Sequence, residues 1–240
     1  MCMESYQLTS RNSGKSANIL EIKADHRIVS NPMDIEETIN EHFSNVAQVL
    51  AHDIPLVDVN PESYLERTDC SFSLQTPSVS IVLSFLKKID EKKATGLDSI
   101  LSKLLKMAAS IIAPSFTSIF SKYILTGIYP NDWKAAKLTP LLKKGIKSDP
   151  NNYGPIFVIP VVSKAFEKIV YNQLYHYLDS NKLLLGSKSV FRSLHSMFTA
   201  LLEATDAWSV NIDNGLLNGV VFIDLTKAFD TIDHKIILHA

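Results

Sequence analysis

Cysteine is nearly absent from these 240 residues. Cys2 and Cys70 are too few for a disulfide framework or a cysteine-based zinc site. The seven histidines show no metal-ligand spacing, and His176 and His195 read as structural or surface residues. No apolar run approaches the roughly 18 residues that a membrane-spanning helix needs. The opening stretch, MCMESYQLTSRNSGKS, is polar throughout, so no secretory leader is visible, and a reducing intracellular setting, nucleus or cytoplasm, is expected. Gly14-Lys15-Ser16 has the ending of a phosphate-binding loop. Its earlier glycine falls on Thr9 and no strand precedes it, which excludes that motif. With 8 glycines and 10 prolines the chain is neither collagen-like nor of low complexity. The 46% of apolar residues is too many for a wholly disordered chain and enough for one or two domains with a substantial core.

Charge of one sign is also lacking overall, since the formal net charge is −1, but the balance is uneven along the chain. Residues 1–82 carry −7 and residues 193–240 carry −4, whereas 83–192 hold 17 Lys and Arg against 7 Asp and Glu, or +10. A cationic centre of that size either solubilises helix faces or grips a polyanion through counterion release.

Apolar spacing then divides the chain into elements. Ile35, Ile39, Phe43, Val46 and Leu50 recur at helical intervals and predict a helix over about 34–52, entered through Asn31-Pro32 with Asp34 as its cap. Residues 1–30 read as irregular and 53–76 as a loop. Pro77 opens a helix running to Ile89. After the turn Lys92-Lys93-Ala94-Thr95-Gly96, the pattern predicts two helices, Leu97–Ile112 and Pro114–Thr126, the second ended by Gly127. Ala135–Lys144 reads as a strand, 145–155 as a turn-rich loop, and Val162–Asn181 and Leu194–Asn211 as amphipathic helices. Leu217–Asp224 is uncharged up to its last residue and reads as a buried strand, followed by a helix over Thr226–His234. The fold class expected is α+β and helix-rich. A strand needs a partner, and only sixteen residues follow Asp224, so the pattern resembles a domain cut short.

Asp224 is the sharpest chemical candidate. A carboxylate at the end of an apolar strand sits where ligand sites of α/β folds gather and suits Mg²⁺; it also suits the cap of a helix at Thr226. Asp230 and Asp233 read as caps or ion pairs. Arg192 either forks onto phosphate or pairs at the surface. Lys143, Lys144 and Lys147 surround Gly145 and either touch a nucleic-acid backbone or solvate a turn. Tyr153 either stacks on a base or packs in a core.

Taken in order, Lys93-Ala94-Thr95-Gly96-Leu97-Asp98, Trp133-Lys134, Thr139-Pro140, Lys143-Lys144-Gly145, Asp149-Pro150-Asn151-Asn152-Tyr153, Phe191-Arg192, Phe222-Ile223-Asp224-Leu225 and Lys227-Ala228-Phe229-Asp230-Thr231-Ile232-Asp233-His234 resemble the reverse transcriptases of non-LTR retrotransposons, especially the jockey-like type. The resemblance covers about 83–240, and Asn40–Pro55 looks like the linker upstream of the polymerase in such proteins. It implies a partial right-hand polymerase: an acidic upstream linker at 1–82 with its helix, a fingers-like region at 83–215, and the start of a palm at 216–240. It implies that Asp224 is the first catalytic, Mg²⁺-binding aspartate, that Arg192 lies near the triphosphate, and that Phe229 reads the sugar 2′ position. It implies that the basic centre, Lys143 and Lys144 included, meets RNA template, DNA primer and deoxynucleotide. No membrane partner is implied.

Three departures stand out. Gly154 replaces a usual arginine, Phe157 a usual serine, and Val190 a usual glycine; a lost arginine removes a charge-assisted contact commonly worth about 1.5–3 kcal/mol. The family's second pair of metal carboxylates lies in a Tyr-x-Asp-Asp turn, and no Asp-Asp pair occurs in this chain. With Asp224 alone, two ions lack most of their ligands, so the expectation is a chain inactive as a polymerase by itself. A non-catalytic nucleic-acid-binding module and an inert retroelement remnant are the alternatives. An aspartyl phosphohydrolase is disfavoured because position 226 is Thr rather than a second Asp.

Overall fold

Apolar and polar residues alternate along Ala136–Leu142, and the chain there is a strand, β4, with Ala136 and Leu138 buried on one face. It pairs antiparallel with β5, Tyr153–Val158, in a register running from Lys137 opposite Val158 to Leu142 opposite Tyr153. The Lys143 N–H donates to Asn152 O at 2.8 Å and fixes the phase of the ladder. Counting from it in twos puts Pro140 opposite Pro155 at a pair that exchanges no hydrogen bond. Two prolines are therefore tolerated without breaking the ladder.

The computed structural model describes residues 6–8, 19–24, 27–52, 69–184, 189, 192 and 194–224. The chain divides into two compact units. The described part of the first lies within Met1–Asp69 and Ser73–Gln173, and that of the second within Cys70–Phe72 and Leu174–Thr226. The architecture is α+β and helix-rich.

In the first unit, β1 (Tyr6–Leu8) runs parallel to β4, giving the order β1-β4-β5, while β2 (Ile22–Ala24) and β3 (Arg27–Val29) form a separate antiparallel hairpin. These short strands replace the irregular structure expected before residue 30. Helix α1, Pro32–His52, matches its prediction and lays Ile35, Ile39 and Phe43 against Ile22, Leu138 and Tyr153. The expected upstream helix thus shares a core with β4 and β5.

A second core of the same unit is helical. Helices α2 (Val79–Lys87), α3 (Ser102–Met107) and α4 (Ala109–Thr126), the single turn α5 (Asn131–Lys134) and the start of α6 (Val161–Ser180) enclose Val82, Leu86, Leu105, Phe120, Val162 and Phe166. Phe116, Phe120, Tyr123, Tyr129, Trp133 and Phe166 meet in edge, tilted and stacked pairs. Buried Ser163 is bonded to Tyr129 Oη at 2.6 Å, and that hydroxyl donates to Glu167 Oε1 at 2.9 Å. Burial raises the Tyr129 pKa from its ordinary value of 10, and the Glu167 charge adds to the rise. The expected break before Pro114 falls instead at Ala108. Pro114 sits early in α4 and is exposed, and the carbonyl of Ser110 that loses its donor is on an exposed residue, open to water. Gly127 ends α4 in the left-handed conformation, φ +66°, as its position predicts.

In the second unit, α7 (Met197–Asp213) starts from a capping box in which Ser196 and Thr199 satisfy each other's backbone donors. No residue of α7 is buried. The strand expected over Leu217–Asp224 does not form among the described residues. The chain there pairs with no strand, and Leu217, Val221, Phe222 and Ile223 are exposed. Apolar character makes a strand only where a neighbour accepts its backbone groups. The segment is anchored instead at Asn218, whose side chain accepts from Asn211 Nδ2 at 2.7 Å and donates to Trp208 O at 3.1 Å. The helix expected over Thr226–His234 lies outside the described residues. No helix among them is long and apolar enough to cross a membrane.

Candidate nucleic-acid interface

The loop from Lys143 to Asn152 joins β4 to β5 and is rigid for local reasons. Gly145 adopts φ +78°, and a Cβ there would come within 2.6 Å of Asn152 Nδ2. That amide donates to Ile146 O at 3.0 Å. Asp149 Oδ1 accepts from the Asn151 N–H at 2.9 Å and caps a 3₁₀ turn at Pro150–Asn152. The Lys23 N–H donates to Ser148 O at 2.7 Å and ties the loop to β2. Lys143, Lys144 and Lys147 are exposed on this frame. A loop held by its own backbone offers cations at low ordering cost, which suits a phosphate chain.

Tyr153 requires a correction. Its ring is 2% exposed, packed in the core with Leu138 and Ile22, and its hydroxyl donates to Lys147 O at 2.7 Å. Burial raises its pKa. A ring in that position has no face to offer a base. It holds the backbone of Lys147 from beneath.

A second cationic group lies where 92–98 meets α6. Gly96 is buried, and a Cβ on it would lie 2.5 Å from Pro160 N and 2.8 Å from Ile159 C, so only glycine seats this turn against the entry to the helix. Lys164, in the first turn of α6, has its pKa lowered by burial and then by the nearby charge of Lys93, with Asp98 and Glu167 opposing. The turn was legible from its lysines; the partnership with Lys164 was not, because Lys164 lies 66 positions beyond Asp98 and 71 beyond Lys93.

The remaining candidates lie in the second unit. Arg192 is half-buried, and its carbonyl accepts from the His195 N–H at 3.3 Å. Asp224 is exposed at the end of the unpaired segment. Phe229, Asp230 and Asp233 lie outside the described residues, as do Phe191 and Val190. The structure thus brings Lys143 and Lys144 onto one loop and keeps Arg192 and Asp224 in the other unit. Among the described residues no three metal-ligating side chains converge. Mg²⁺ takes near-octahedral oxygen coordination, and among the described residues Asp224 offers one exposed carboxylate for it.

No family model matches the chain. Among curated proteins it is similar to a probable RNA-directed DNA polymerase from transposon BS of Drosophila melanogaster, 26% identical over 184 residues, which is 72% of this chain and 20% of that protein. It is likewise similar to the RNA-directed DNA polymerase from mobile element jockey of the same fly, 24% identical over 180 residues, 74% of this chain and 20% of that protein. A shorter similarity, 30% over 89 residues (36% of this chain, 9% of the relative), reaches a putative 115 kDa protein in type-1 retrotransposable element R1DM, also of Drosophila melanogaster. The chain spans about one fifth of the length of the first two.

Proposed function

We propose that this chain, whose homologues are the RNA-directed DNA polymerases of jockey-type and other non-LTR retrotransposons at modest identity over about 70% of its length, works as the fingers-like, template-gripping part of such a polymerase. The observation that carries the reading is the lysine loop between β4 and β5. It is exposed, internally braced, and set within the +10 stretch of the chain. Lys143 and Lys144 contact the phosphates of an RNA template paired with a DNA primer, Arg192 contacts the phosphates of an incoming deoxynucleotide, and Phe229 abuts its sugar. Asp224 contributes one carboxylate to a Mg²⁺ site. With nucleic acid as partner, the nucleus or cytoplasm is the setting.

One carboxylate does not hold two ions, so the 240-residue chain binds template–primer and does not extend it. Two measurements test this. Binding of an RNA–DNA hybrid should weaken with salt along a clear log–log slope, and the Lys143→Glu/Lys144→Glu variant should weaken it similarly for every sequence. A slope near zero defeats the reading. Primer extension with Mg²⁺ should yield no product, and robust extension by the chain alone defeats the claim of inactivity.

A further inference from the structure

Gly154 stands on the open face of the β4–β5 ladder. That face carries Lys137, Thr139, Leu141 and Lys143 from β4 and the residue that follows it, with Gly154, Ile156 and Val158 from β5; the opposite face carries Leu138 and Tyr153 into the core. Lys143 is diagonal to Gly154 across the ladder. A Cβ built on Gly154 would collide with Lys143 Cε and lie 3.1 Å from Lys143 Nζ. The lysine stem therefore occupies the space that any side chain at 154 would take, and Gly154 is buried beneath it. Leu141 and Ile156 remain exposed beside it. Gly154 has no positive φ, so the turn of the backbone does not call for glycine here. What calls for it is the lysine.

We infer that Gly154 is a positioning residue for Lys143: by lacking a side chain it lets the lysine cross from the end of β4 onto β5, so that the ammonium is held over the open sheet face for a nucleic-acid phosphate. Lys144, its neighbour in the loop, is exposed. A stem laid along a neighbouring strand loses less freedom on meeting an anion than one that swings in water. Among the described residues no carboxylate forms an ion pair with Lys143, whereas Lys106 pairs with Glu91 at 3.2 Å. The inference rests on the reading that Lys143 contacts nucleic acid.

The test is a double-mutant cycle on the full chain with an RNA–DNA hybrid, read as affinity and as salt slope. Lys143→Ala should lower affinity roughly tenfold and flatten the slope by about one unit. Gly154→Ala displaces only the far end of a flexible side chain, so it should fold as well as the parent by thermal melting while reproducing both effects. The double variant should lose no more than either single one. Lys143→Ala/Gly154→Arg, which leaves nothing above position 154 and supplies a cation from β5 itself, should recover both affinity and slope. If Gly154→Ala keeps affinity and slope while Lys143→Ala loses them, the positioning role is overturned and the wider reading stands. If Lys143→Ala itself changes nothing, the contact with nucleic acid falls, and the positioning role with it. Failure of the arginine variant to recover binding also overturns the role, since it shows that a cation over β5 is not what was lost.

Discussion

Two glycines and two tyrosines show how differently one residue type can act in this chain. Gly96 faces backbone, whereas Gly154 faces the movable end of a lysine. Gly96→Ala should therefore destabilise the protein by about 1–3 kcal/mol through overpacking, measured as a lower urea midpoint, where Gly154→Ala leaves that midpoint in place. Tyr153 anchors a backbone carbonyl and Tyr129 anchors a buried serine. Tyr153→Phe should cost about 1 kcal/mol in denaturation and leave the affinity for an RNA–DNA hybrid nearly unchanged, since the ring never meets the ligand. A loss of affinity without a loss of stability would contradict its place in the core. By residue type alone a tyrosine among asparagines is either stacker or packer; its neighbours decide, and those come from α1 and β2, far away in sequence.

At the scale of elements, the long helices were readable, whereas β5 and the short strands before residue 30 were not. Helix α1 and the end of α4 declare themselves through apolar residues three and four apart and through Gly127. Strand β5 hides because Gly154 and Pro155, both poor strand formers, sit in its middle; their acceptability depends on the register with β4, which no local pattern reveals. The reverse error occurs over Leu217–Asp224, where apolar residues announce burial and the described structure supplies no pairing strand. The site was legible in the same measure. The lysines of the loop are visible as residues, while the seat of Lys143 on Gly154 and the approach of Lys93 to Lys164 arise from packing between separated segments. The aromatic assembly that joins α4, α5 and α6 centres on Phe120, which is wholly buried. Phe120→Ala should cost about 3–5 kcal/mol, seen as an early melting transition in the far-ultraviolet signal.

Across the whole molecule, alkaline pH offers a probe of the first unit. Tyr129 and Tyr153 both have pKa values raised by burial above the ordinary 10. The folded state thus holds their protons more tightly than the unfolded state. The stability from neutral tyrosine is fully present below about pH 10 and is lost as the pH climbs beyond it. Tyrosinate absorbance should accordingly show two rings that ionise only together with loss of the folded signal. In Tyr129→Phe, unfolding should begin at higher pH relative to neutral stability. Ionisation of all eight tyrosines near pH 10 with the fold intact would rule out the two buried hydroxyls.

Strand β5 is an outer strand of its three-stranded sheet, and Pro155 stands at a pair whose amide would point outward, away from β4. The free margin of the sheet therefore lacks its central donor. A stray strand from another molecule meets an interrupted row there and cannot zip along it. Pro155→Thr would mend that row, and its cost should appear as light scattering and fibril-type dye binding in concentrated solutions that leave the parent protein clear.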